Sequence, residues 1–187
     1  MDEYLDDDDG YIDQASSLSF RGFMARQVYG RIRPELVMPE SQRVFPDPRH
    51  PERIGELIVK LGGVDVCYGG IGINGHVAFN EPEDVSPEAF ADRPTRVLSI
   101  SPETRTANAI GELNGAIEAM PGRCITVGMR EILGAWKIRL YCFRDWHRAV
   151  VRRAAYGEKS AFFPVTLLQG HPDARITMTA NVAEAAC

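Results

Sequence analysis

Val64-Asp65-Val66-Cys67-Tyr68-Gly69-Gly70-Ile71-Gly72-Ile73-Asn74-Gly75-His76-Val77-Ala78-Phe79-Asn80-Glu81-Pro82 is the stretch on which the fold and the chemistry both turn. Residues 64–68 are rich in β-forming side chains and stop at two glycines, the pattern of a short buried strand. The glycines at 69, 70, 72 and 75 let the backbone turn sharply and approach a ligand closely. Their spacing is neither a dinucleotide fingerprint nor a P-loop, which would end in Lys and Ser or Thr. His76 is the side chain best suited to move protons near neutral pH. Asn74 and Glu81 flank it and are placed to orient its ring, and a carboxylate partner is expected to raise its pKa.

Moving outward from this stretch, strands and helices alternate. A helix is expected at 51–62, with Ile54, Leu57, Ile58 and Leu61 at helical spacing and Gly62-Gly63 ending it. Residues 16–32 read as an amphipathic helix, and 34–50 as irregular because of Pro34, Pro39, Pro46 and Pro48. On the other side, strands are expected at 95–100, 124–127, 138–143 and 174–179. Helices are expected at 102–120 and 146–156, with a helical turn or two at 129–133. Alternation without hairpin signals predicts an α/β domain with a mainly parallel sheet, read as one domain over 1–187. In such sheets ligands bind outside the carboxyl ends of the strands, which is where Gly69–Pro82 lies.

Composition narrows the class. The chain has 187 residues, 44% hydrophobic and 25% charged, which fits an ordinary globular domain and argues against disorder. Its net charge of −5 lacks the basic footprint of a nucleic-acid binder, so no nucleic-acid partner is expected. Of the 21 basic residues 18 are Arg, which reads first as codon bias. Cys67, Cys124, Cys142 and Cys187 show neither zinc nor redox spacing, and the first three are expected as buried free thiols. The acidic start, Met1 to Asp9, does not read as a signal peptide, and no run approaches the ~18 apolar residues of a membrane span. A cytoplasmic location and no membrane partner are therefore expected. Asp6–Asp9 fails the EF-hand spacing and reads as a solvated loop.

Residues 69–82 closely resemble the signature of the glucosamine-6-phosphate deaminase/isomerase family, through Gly-His-Val-Ala-Phe-Asn-Glu-Pro. The 6-phosphogluconolactonases, a sister group on the same fold, continue differently after Gly-His. The similarity extends to Met1-Asp2-Glu3-Tyr4, Pro94-Thr95-Arg96-Val97, Thr104–Asn108, Thr126-Val127-Gly128-Met129, Pro164–Gln169 and His171-Pro172. It implies a three-layer Rossmann-like α/β domain and conversion of glucosamine 6-phosphate and water to fructose 6-phosphate and ammonia. It implies no metal or organic cofactor, and a homo-oligomer is expected.

By this resemblance His76 opens the sugar ring, Glu81 works with it, and Asp2 is the base that moves the C2 proton. Asn74 stands where the family often has Asp, and holds the ring without supplying charge. Gly70, Gly72 and Gly75 are expected against the substrate. The family's phosphate-binding Arg falls at Ile110 and its Lys at about His147. Arg144, Arg148, Arg152 and Arg153 surround that point, and His147 and Arg148 are the expected substrate contacts. Leu98 stands where the family's allosteric site has a basic residue, so no activation by N-acetylated sugar phosphate is expected. The chain begins where the family's Asp-Glu-Tyr segment begins. The expectation is an N-terminally truncated domain, without the family's opening strand, helices and phosphate-cradling loop. The alternatives are a non-catalytic sugar-phosphate sensor, favoured by Asn74, Ile110 and His147, or an enzyme for another amino-sugar phosphate such as galactosamine 6-phosphate.

Overall fold

The structure is a computed structural model that describes residues 1–184, so Cys187 lies outside the described residues. Among the described residues six strands form two sheets of three: β1 (Glu3–Leu5), β2 (Val66–Gly69), β3 (Arg96–Ser99), β4 (Arg123–Thr126), β5 (Lys137–Cys142) and β6 (Ala174–Met178). The first sheet has the order β2-β5-β6 and is parallel throughout. The second has the order β1-β4-β3 and is antiparallel throughout.

The α/β reading with a parallel sheet holds for the first of these. The antiparallel sheet is the departure, and its cause is clear. β3 and β4 are joined through a helix, and β1 reaches β4 from the far end of the chain, with Glu3 opposite Ile125. None of these pairs is a hairpin, so none leaves a turn signal in the sequence.

β5 shows why the parallel sheet forms. Ile138, Leu140 and Cys142 are buried on one face while Lys137 and Tyr141 are exposed on the other, the two-residue period of a strand. The buried face packs on Met129, Ile132, Val150, Val151 and Phe163 as the larger core. The opposite face carries Tyr68 and Tyr141, stacked with centroids 6.4 Å apart. A smaller core joins Tyr4, Phe79, Ile100, Ala109, Met120 and Cys124 on the antiparallel sheet.

The helices largely follow the spacing. Helix α2 (Glu52–Leu61) ends at Gly62, whose φ of 85° closes the helix in the left-handed conformation. Helix α3 (Pro87–Ala91) was not foreseen. Helix α5 (Met129–Leu133) and helix α6 (His147–Tyr156) lie within a residue of expectation.

Two expected helices are shorter. Helix α4 (Pro102–Glu112) stops before Asn114 and Gly115, both at positive φ, instead of running to 120. The 16–32 segment starts only at α1 (Phe20–Phe23) and continues as a widened turn over 24–28 and a tight one over 29–31. Asp13 and Ser16 accept the amide hydrogens of Ala15 and Leu18, holding 13–18 in turns. The Ser19 hydroxyl and the Glu3 carboxylate then cap the helix. Cys124 and Cys142 are buried free thiols, while Cys67 is only half-buried.

Candidate active site

β2 runs out of the parallel sheet at Gly69, and the segment after it passes from one core to the other. Val77 belongs to the larger core and Phe79 to the smaller. Between them Ala78 sits at φ 59°, a strained setting for a residue with a Cβ. Asn80 pins the crossing. Fully buried, it donates to the carbonyls of Val77 and Val127 at 3.0 and 2.8 Å and accepts from Arg96 at 2.8 Å.

This loop presents His76, buried at its inner end. Its Nδ1 is 2.8 Å from Asn74 Oδ1. Asn74 is oriented by two neighbours that allow only one setting. Its Nδ2 donates to Glu81 Oε2 at 2.7 Å, and a carboxylate oxygen only accepts. Its Oδ1 accepts the His76 backbone N–H at 3.3 Å, and a backbone amide only donates. The amide oxygen therefore faces the ring, so Nδ1 carries the proton and Nε2 keeps a free lone pair. Glu81 Oε2 is 3.8 Å from Nδ1, and Glu81 Oε1 is buried with no hydrogen-bond partner among the described residues.

Two hydroxyls at the start of α4, from its N-cap Ser101 and its first-turn Thr104, complete the surround. Thr104 Oγ1 is 3.2 Å from His76 Nδ1, and Ser101 Oγ accepts from Asn74 Nδ2 at 3.2 Å. Gly72 lies so close over the imidazole that a Cβ there would fall inside the ring. Burial lowers the His76 pKa more than Glu81 and Asp2 raise it. This reverses the expected direction, and the reason is desolvation, which sequence spacing does not report.

Asp2 comes from the other sheet. At the head of β1 it accepts from Thr126 Oγ1 and the Val127 N–H, both at 3.0 Å. Burial pushes its carboxyl up despite these bonds. Its neighbour Glu3 points the opposite way, as strand alternation requires. Fully buried, Glu3 receives Ser19, three backbone N–H groups and the Arg21 side chain.

Asp2 and His76 line one cleft of about 770 Å³, together with Gly70, Gly72, His147 and Arg144. Asn74 and Glu81 stand behind the ring. Gly75 is not among the lining residues; it packs beneath the Phe163 ring, and its carbonyl accepts from Val165 at 2.8 Å.

The expected cations fall differently. His147 lines the cleft, but both its ring nitrogens are taken: Nε2 donates to the Ile71 carbonyl and Nδ1 accepts the Arg144 N–H, each at 3.0 Å. Burial further lowers its pKa, so it stands as a neutral ring. Arg148 is outside the lining and pairs with Glu184 at 3.3 Å. Arg153 stacks over Phe163 at 4.2 Å. Ile110 is exposed on α4, facing a shallow apolar groove shared with Trp146. Sequence reading missed Asn80, Ser101, Thr104 and Thr126 as site-building groups. Thr104 and Thr126 lay within segments already noted for resemblance, which was the available signal.

Comparison with known proteins accords with this layout. No protein-family model matches the chain. The glucosamine-6-phosphate deaminase of Lachnoclostridium phytofermentans is 30% identical over 179 residues, covering 92% of this chain and 69% of that protein. That of Mycoplasma mycoides subsp. mycoides is 30% identical over 186 residues, covering 98% and 70%. A solved monomeric glucosamine-6-phosphate deaminase of the NagB superfamily superposes with a TM-score of 0.78 at 26% identity, covering 98% of this chain and 72% of that one. The 6-phosphogluconolactonase of Trypanosoma cruzi shares the fold, with a TM-score of 0.62 at 14% identity, covering 100% and 71%. With about 30% identity over nearly its whole length to two such proteins, this chain belongs to the glucosamine-6-phosphate deaminase family.

Proposed function

We propose that the chain converts glucosamine 6-phosphate and water to fructose 6-phosphate and ammonia. The observation that carries this is the free Nε2 of a neutral His76 in the same cleft as the Asp2 carboxylate. In the proposed sequence His76 Nε2 takes the proton of the C1 hydroxyl and returns it to the ring oxygen, giving the open aldehyde. Asp2 removes the C2 proton while the C2 ammonium of the substrate passes one to O1, leaving an enolamine, and Asp2 then delivers its proton to C1. Water adds to the resulting C2 iminium, and the carbinolamine expels ammonia to leave the ketone. Glu81, through Asn74, keeps the imidazole in register.

The two pKa shifts suit these roles. A raised carboxyl is a stronger base for a carbon-bound proton, and a lowered imidazole is neutral at pH 7 and able to accept. Ammonia and fructose 6-phosphate measured from millimolar glucosamine 6-phosphate test the reading. Release of neither sinks it.

The second reading is a sugar-phosphate sensor. It is favoured by Ile110 and His147, which offer no charge to phosphate, and calorimetric binding without turnover would establish it. A substrate panel including galactosamine 6-phosphate decides the sugar. Among the described residues no helix is long and apolar enough to cross a membrane. The cytoplasmic location is a proposal checked by fractionation, and the homo-oligomer is one checked by light scattering.

A further inference from the structure

We propose that Arg144 is the phosphate-binding cation of the cleft, and that substrate phosphate takes its guanidinium over from Glu112. This rests on the reading of the substrate as a sugar phosphate. Among the described residues Arg144 is the only arginine or lysine that lines the cleft. Each residue otherwise expected there is engaged elsewhere: His147 with two backbone groups, Arg148 with Glu184, and Ile110 carries no charge.

Arg144 also stands where an anion would be met. It follows the carboxyl end of β5, the strand beside β2, whose own carboxyl-end loop carries His76. Its backbone is fixed, because its N–H is held by His147 and that ring is tied to the Ile71 carbonyl. His147 is thus a positioning residue for both loops. The Arg144 side chain is free to move by comparison. Half-exposed, it donates to Glu112 Oε1 at 2.9 Å, and Glu112 is equally exposed. The guanidinium rests against Gly111, where a Cβ would collide with Nη1.

A solvated pair of this kind is weakly held. A phosphate dianion offers a guanidinium two parallel charge-assisted bonds and is the stronger partner. The exchange has a mechanical consequence, because Glu112 is the last residue of α4, and the N-cap Ser101 and first-turn Thr104 of that helix lie against Asn74 and His76. Phosphate capture at Arg144 therefore releases one end of the helix whose other end touches the catalytic imidazole.

The experiment measures inorganic phosphate binding by calorimetry, together with KM and kcat for glucosamine 6-phosphate, on the full chain and two variants. Arg144→Gln should weaken phosphate binding and raise KM by about 10–100-fold, the scale of a charged hydrogen bond, with a smaller change in kcat. Glu112→Gln should tighten phosphate binding by about 2–5-fold, because it removes only the competitor. A purely structural pair would instead weaken binding in both variants. Unchanged phosphate affinity in Arg144→Gln, or weaker affinity in Glu112→Gln, overturns the proposal. If the parent chain releases ammonia while Arg144→Gln leaves KM unmoved, the Arg144 assignment falls and the catalytic reading stands. If phosphate binding depends on Arg144 as stated but no ammonia forms, the catalytic reading falls and the anion site stands.

Discussion

The two sheets are held together by different means. The parallel sheet rests on an apolar core in which Ile138, Leu140 and Cys142 of β5 meet Val150, Val151 and Phe163. The antiparallel sheet has a smaller core and depends on buried polar groups, with Glu3 and Thr126 fully buried on its strands and Asn80 tying the crossing loop to the carbonyl after β4. The first is held by filled volume and the second by satisfied hydrogen bonds. His76 comes from a loop of the former and Asp2 from the residue that leads into β1 of the latter, so the cleft lies at their seam. Apolar packing gives a rigid platform, and the hydrogen-bonded side can bury a carboxylate.

The largest effect is expected at the seam itself. His76→Ala should lower kcat/KM by about 10²–10⁴-fold, the usual worth of a positioned acid–base group. Retained activity would remove His76 from the mechanism. Next is the polar sheet: Glu3→Ala strands the Arg21 side chain, the Ser19 hydroxyl and three amides, and should cost about 3–5 kcal/mol in urea unfolding. A loss below about 1 kcal/mol would refute the view that this sheet depends on its buried carboxylate. In the apolar core, Leu140→Ala should cost about 2–5 kcal/mol by leaving a cavity. The two sheets can be separated by a conservative change at each site, since Leu140→Met should cost less than about 1.5 kcal/mol, whereas Glu3→Asp shortens the reach to five donors and should not be tolerated so well.

The smallest effect is opposite in sign. Asp2→Asn keeps an oxygen to accept from Thr126 and Val127, but removes a buried charge. Because the folded pKa of Asp2 lies above its ordinary 3.8, the folded state gains from protonation, and that stability is lost as pH rises through the raised pKa. The variant should therefore match the parent near pH 4 and melt higher at pH 7–8, by roughly 2–4 °C for each kcal/mol relieved, while losing turnover. His76 contributes the contrary slope. Its folded pKa lies below 6.5, so the stability it provides is lost as pH falls below that value. A melting temperature for Asp2→Asn that does not diverge from the parent with rising pH would show that the charge is not strained by burial.

The same contrast explains what the sequence made legible. Apolar period and end signals located β5, α2 and α6, because those elements are defined by the face they bury. The β1–β4 pairing joins residues more than a hundred positions apart, and the β3–β4 pairing is closed across a helix, so no local pattern encodes either. At the site, glycines around a histidine flanked by Asn74 and Glu81 identified the loop, and the resemblance added Asp2. Ser101, Thr104 and Asn80 act through hydrogen bonds to distant segments that have no characteristic spacing. The sign of the His76 shift depended on burial, and the neutral role of His147 on two backbone partners contributed by distant segments.

Asn74 has one more consequence, which concerns how protons are kept apart. An amide has a donor end and an acceptor end, and here each end already has its complement: oxygen to imidazole, nitrogen to carboxylate. Such a spacer conducts orientation but insulates against proton exchange, so His76 and Glu81 are wired in series without sharing a proton. An aspartate at position 74 would remove the donor facing Glu81 and set two carboxylates at hydrogen-bonding distance. A proton would then be trapped between them, and the imidazole would sit at the end of a relay. The asparagine makes this site a clamp where a carboxylate would make it a conduit.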